Sequence, residues 1–140
     1  GAIGGLRAQQ IIQEAVALDT TFAEAYRYLS ILVTNYGGSV QLGADAASRA
    51  FRHRERLSPK KQLLVEANYH LRVTGDYPQA ARAYRGLLEL DSLDSTSAIN
   101  LADVAMYEGE YQEAEELLRR VPRPEHLVWS WNLMASLSGQ

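Results

Sequence analysis

A chain of 140 residues, 46% hydrophobic and 22% charged, has the composition of a folded domain with its own core rather than of a disordered tail. Its formal net charge of -3 lacks the basic excess that phosphate-backbone binding calls for, so nucleic acid is not an expected partner. The absence of cysteine excludes disulfides, thiolate metal sites and cysteine nucleophiles, and no run approaches the roughly 18 apolar residues of a membrane span.

Taken in chain order, Gly1–Gly5 lacks the charged and apolar regions of a signal peptide. Ala8, Ile12 and Ala15 form the first helical stripe, which ends at Leu18 and Asp19. Tyr26, Leu29 and Val33 open a second helix. The glycine-rich stretch from Gly37 to Gly43 predicts a loop, with about five residues more than a 34-residue period needs. Ala47, Phe51 and Arg54 continue as a third stripe, ending at Ser58-Pro59. Arg54 stands where a small or apolar residue is expected, but its stem can pack while the guanidinium reaches water. Leu64, Ala67 and Leu71 stripe the next helix, and Ala80, Tyr84 and Leu87, at i, i+4 and i+7, the one after. Gly75 lies between these two, where a left-handed turn favours glycine. Past Val121, Pro122 and Pro124 stop the chain's helical run, and a last helix, about 125–137, carries Trp131, Met134 and Ala135.

Two of these segments superimpose. Gly75-Asp76-Tyr77 lies 34 residues before Gly109-Glu110-Tyr111, and the same shift carries Ala67 onto Leu101, Leu71 onto Ala105, Ala80 onto Ala114, Tyr84 onto Leu118 and Leu87 onto Val121. A unit of this length with two stripes is a helical hairpin, which cannot bury its apolar face without a stacked neighbour.

The residues Leu64, Ala67, Asn68, Gly75, Tyr77, Ala80, Tyr84 and Asp91, followed by Ala98, Leu101, Ala102, Gly109, Tyr111, Ala114 and Leu118, resemble the tetratricopeptide repeat. Departures are Ser92 for the closing proline, Ala98 for a large residue, and the long turn of the first unit. The resemblance implies an all-α fold: a right-handed superhelical stack of about seven helices in antiparallel hairpins. It reads as one repeat domain of a half unit 5–22, units 23–60, 61–94 and 95–124, and a half unit 125–140. Both ends lack a hairpin partner, so the expectation is a piece of a longer array or ends that pack on another chain. The run Arg54–Pro59, with Thr74-Gly75-Asp76-Tyr77 beyond it, also resembles repeat regions attached to bacterial serine/threonine kinases and related regulators. No kinase motif accompanies it.

What the family resemblance implies for function is a concave face lined by first helices. By register it carries Glu24, Arg27, Ile31, Thr34 and Asn35; then Gln62, Val65, Tyr69, Arg72 and Val73; then Thr96, Ile99, Asp103, Met106 and Tyr107. Trp129 and Asn132 of the last helix could join them. Arg27, Ile31, Asn35, Val65, Tyr69, Arg72, Ile99, Asp103, Met106 and Tyr107 are the candidate groove. Tyr and Arg are residue types that anchor interfaces, and Tyr69 and Tyr107 exceed what the packing pattern needs. The expected partner is a protein or an extended or helical peptide. The Lys/Asn clamp by which some members hold a terminal carboxylate is not expected, because its places hold Arg27, Ile31, Glu66, Thr96 and Asn100.

Arg49, Arg52 and Arg56 fall at i, i+3 and i+7, with Lys60 and Lys61 beyond. In an acidic chain they read as a solvated face paired with Glu55 and nearby acids, a phosphate or acidic-partner patch being the alternative. The acids Glu108, Glu110, Glu113, Glu115 and Glu116 read in the same way. His53, His70 and His126 have no partner at metal-ligand spacing, and neither a Gly-x-Ser-x-Gly elbow nor a phosphate-binding glycine loop occurs. The reading is therefore a cytoplasmic binding scaffold without catalytic residues, cofactor or metal. The alternative is a self-assembly module that associates through its terminal helices.

Overall fold

The computed structural model describes residues 2–19 and 21–122. All regular structure among them is helical: α1 (Ala2–Leu18), α2 (Ala23–Asn35), α3 (Val40–Arg52), α4 (Pro59–Tyr69), α5 (Tyr77–Leu90), α6 (Ser95–Glu108) and α7 (Tyr111–Arg120). A 3-10 turn at Arg54–Arg56 precedes α4 and a π-helical turn at His70–Thr74 extends it. The all-α helical repeat expected from the sequence is the architecture. The expected helix at about 125–137, with Trp129, Trp131, Asn132 and Met134, lies outside the described residues.

Local chemistry accounts for the starts and stops. Gly37, Gly75 and Gly109 have φ of 71°, 65° and 81°. They follow α2, the π turn and α6, where a Cβ would be strained and glycine is not. Two helix exits share another device. The Asp19 carboxylate accepts from the Thr21 amide at 2.9 Å, and that of Asp91 from the Leu93 amide at 3.0 Å, each closing an Asx-type turn. Entry to α3, α4 and α6 is capped by Ser39, Ser58 and Asp94, whose side chains accept from Leu42, Lys61 and Ser97 amides. Pro59 occupies the first turn of α4, where no helical N–H is needed.

The chain divides into two compact units, one ending at Asp76 and one beginning at Tyr77. In the first, α2 packs on α1 and α3, and α4 on α3 and α2. Val16, Ala25, Tyr26, Leu29, Val33, Ala46, Ala50 and Val65 form the core, with Ile12, Leu42, Phe51 and Leu57 at its rim. A buried polar link crosses it, the Asn68 amide donating to the Ser30 hydroxyl at 3.1 Å. In the second unit, α6 packs against both α5 and α7. Leu87, Leu101 and Leu118 are its most deeply buried large side chains, among Ala80, Ala102 and Ala114. An Arg85–Glu113 ion pair at 2.8 Å ties α5 to α7 on the surface.

Three sequence expectations change. The loop expected at Gly37–Gly43 is shorter, because Ser39 caps a helix that starts at Val40. Gly43 is a buried helical residue packed near Thr34, Val33 and the Ser30 carbonyl. Arg49, Arg52 and Arg56 do not share one helix face, since α3 ends at Arg52 and Arg56 lies in the 3-10 turn. The cations of this stretch meet other acids rather than Glu55: Arg54 meets Glu66 at 3.4 Å and Lys61 meets Glu24 at 2.8 Å, while Arg49 reaches the Tyr26 hydroxyl at 3.4 Å. Finally, Val65 is buried on α4 together with Ala67, at 1% and 0% exposure, while Leu64 of α4 and Leu71 of the π turn are half-buried.

Glycine in its two roles gives opposite expectations. Gly109→Ala forces an L-residue into the left-handed region and lowers stability by about 1 kcal/mol. Gly4→Ala, in an exposed turn of α1 with open space around it, raises stability by up to about 1 kcal/mol. Urea unfolding followed by circular dichroism measures both.

Candidate functional site

The candidate residues lie on α2 and the α4–π segment of the first unit, and on α6 of the second. In the first unit, α2 and α4 run side by side. Lys61 Nζ meets Glu24 Oε2 at 2.8 Å, and Asn68 Nδ2 meets Ser30 Oγ at 3.1 Å. These links join residues 37 and 38 apart, the register that aligns Ile31 with Tyr69. Arg27 and Ile31 are half-buried and Asn35 is exposed. The Arg27 guanidinium lies 4.5 Å from the centre of the Tyr28 ring, a cation–π contact within its own helix. Arg72 is exposed in the π turn.

Two residues of this unit differ from the expectation. Val65 belongs to the core and presents nothing to a ligand, because α4 turns the side chain next to Leu64 inward. Tyr69 is needed for packing: its ring stacks on Phe51 at 4.0 Å between centroids, with 15° between planes. Arg54 completes the cluster, its guanidinium 3.7 Å from the Phe51 centroid and its Nη1 donating to the Phe51 carbonyl at 2.7 Å. Arg54 is thus a covering residue for an aromatic pair, which is why an arginine fits a position that the repeat pattern reserves for a small or apolar side chain. The sequence carried the signal in the neighbouring aromatics, Phe51 and Tyr69, but not their stacking.

In the second unit, Ile99, Asp103, Met106 and Tyr107 follow one another along α6 at helical spacing. Ile99 is half-buried against Ala98 and Val121. Met106 is half-buried and Tyr107 is 78% exposed. The Tyr107 ring stacks on Tyr77, at the start of α5, with centroids 5.6 Å apart and planes within 4°. Asp103 is half-buried, and burial pushes its carboxyl above the ordinary value of 3.8. No hydrogen bond or ion pair reaches it among the described residues. Asp19, by contrast, is held below the ordinary value by hydrogen bonds from the Thr21 side chain and backbone.

Among the described residues no cluster of three or more His, Asp or Glu side chains could hold a metal ion, and no helix is long and apolar enough to cross a membrane. None of Ile99, Asp103, Met106 and Tyr107 lines the clefts found in the second unit. One of about 260 Å³ is lined by Leu88, Leu93, Ala98, Leu117 and Val121, among others.

Residues 74–137 match the family model of the tetratricopeptide repeat. A search of curated proteins finds no match to the chain.

The raised carboxyl gives a pH-dependent expectation. A folded-state value above the unfolded one favours the folded chain fully only below the ordinary value of 3.8, and this contribution is lost as pH rises through the folded value. Asp103→Asn removes the cost of holding a buried charge. Its melting temperature should exceed that of the unsubstituted chain at neutral pH, and the gap should close below pH 3.8 in thermal melts followed by circular dichroism.

Proposed function

From the membership of residues 74–137 in the tetratricopeptide repeat family, whose repeats mediate protein–protein interaction, we propose that this chain is a scaffold that binds a peptide or a segment of a partner protein along its first-helix faces. The observation that carries the reading is Tyr107, a large amphipathic side chain 78% exposed and braced by a ring stack rather than sunk in the core. Such a residue adds to binding without a large ordering cost. Arg72 and Asn35 are exposed on the first unit's candidate face, and half-buried Ile31 offers apolar surface beside them. Val65 and Tyr69 act beneath that face, as core and as support. The regulatory role suggested by the likeness of 54–77 to kinase-attached repeats would give the bound segment a signalling context.

A second reading rests on α1, where Leu6, Ile11 and Leu18 are 60%, 58% and 90% exposed. Burying them between copies would make the chain a self-assembly module. Light scattering over a dilution series separates the two, since self-assembly predicts a mass that rises with concentration and falls with Ile11→Asp.

For the leading reading, partners captured from source lysate are compared between the unsubstituted chain and Arg72→Ala/Tyr107→Ala. Neither side chain is buried, so the variant should keep its helicity and lose the specific partner, with affinity reduced by about tenfold or more. Equal retention by both chains would sink the groove assignment.

A further inference from the structure

The α6 face of the second unit brings together three features that select one kind of side chain. The first is a flat aromatic ledge. Tyr77 and Tyr107 lie parallel within 4°, and Tyr107 leaves 78% of its surface to solvent. The stack fixes the orientation of an exposed ring before any ligand arrives. The second is a carboxylate one helical turn away: Asp103 and Tyr107 stand at i and i+4, so their Cβ atoms are about 6 Å apart on one face. Asp103 is half-buried and, among the described residues, meets no cation and no hydrogen-bond donor. The third is apolar lining from Ile99 and Met106, both half-buried on the same helix.

We propose that this face is a subsite for an arginine side chain of the bound peptide. The inference rests on the peptide-binding reading above and specifies what the peptide must carry there. A guanidinium is flat, so it can lie against the tyrosine ledge by cation–π contact while its forked N–H groups donate to the Asp103 carboxylate. The aliphatic stem of the arginine lies on apolar surface of Met106, one turn from Asp103. A lysine ammonium satisfies the carboxylate but neither the flat ledge nor the fork. The burial that holds the Asp103 carboxyl above its ordinary range also favours an incoming cation, which restores the stabilisation that water no longer supplies. The wider field agrees in sign. Between residues 77 and 122 nine acidic residues face four arginines, which draws a cationic peptide toward this unit.

The test selects a randomised peptide display library on the 140-residue chain. Arginine should recur at one fixed position of the selected peptides. In a synthetic copy of one such peptide, exchange of that arginine for citrulline, its uncharged near-isostere, should weaken binding by about tenfold. Asp103→Asn should weaken the arginine peptide by a similar factor and leave the citrulline peptide unchanged, and Tyr107→Ala should also weaken the arginine peptide. Asp103→Asn is close in shape and removes a buried charge, so its melting temperature verifies that the fold is kept. Peptides selected without a fixed arginine overturn the subsite and leave the groove standing, provided that Arg72→Ala still weakens them. An equal citrulline effect on Asp103→Asn and on the unsubstituted chain overturns the subsite in the same way. Recovery of no peptide overturns both the subsite and the groove.

Discussion

Close approach of helix backbones over alanine governs much of this molecule. Just over half of the buried apolar residues among those described are alanines, placed along α2 to α7. An alanine at a helix contact contributes one methyl group, so neighbouring axes come near and each helix hides only a narrow stripe. Gly43 carries the same logic further: its hydrogen sits where α3 meets the Ser30 carbonyl and Val33 of α2. The larger buried groups, among them Tyr26 and Leu29 in one unit and Tyr84, Leu87, Leu101, Leu117 and Leu118 in the other, fill the remaining space between the contacts.

A narrow buried stripe has a direct effect on the other faces. Side chains a turn away are released from packing and can be large without disturbing the core. Tyr107 and Arg72 are free in this sense. Tyr69 is the instructive contrast, because its ring is committed to Phe51, which in turn is covered by Arg54. Two tyrosines named for the candidate face thus have different duties, one as support within its own unit and the other as presented surface.

The repeat was legible because its punctuation is chemical. Gly75 and Gly109 mark left-handed turns that other residues enter at a cost, and the alanines flanking them mark contacts that larger residues would block. What was not legible follows from ambiguity in the same signals. Glycine at 37 makes a turn, whereas glycine at 43 admits a neighbouring helix, and composition alone does not distinguish them. Leu63, Leu64 and Val65 are all apolar, so a periodicity argument cannot fix which one points inward, and the one chosen for the surface is the one that is buried. The stop of α3 after Arg52 has neither proline nor glycine to announce it; the His53 backbone N–H closes it by donating a hydrogen bond to the Arg49 carbonyl. The polar pair Ser30 and Asn68 was hidden for a different reason, since each looks solvent-facing until the other is placed beside it.

The π-helical turn at His70–Thr74 is held by its own polar contacts, His70 Nδ1 to Thr74 Oγ1 at 3.0 Å and Thr74 Oγ1 to the His70 carbonyl at 3.4 Å. A wider turn advances each residue by a smaller angle than an α-helix does. Arg72 and Val73 therefore do not keep the bearing on their own helix that an uninterrupted α-helix would give them. Past such a turn, counting residues alone no longer fixes the bearing of a side chain on its helix. A designer who transplanted the contacts of α6 onto the end of α4 would find the right amino acids facing the wrong way.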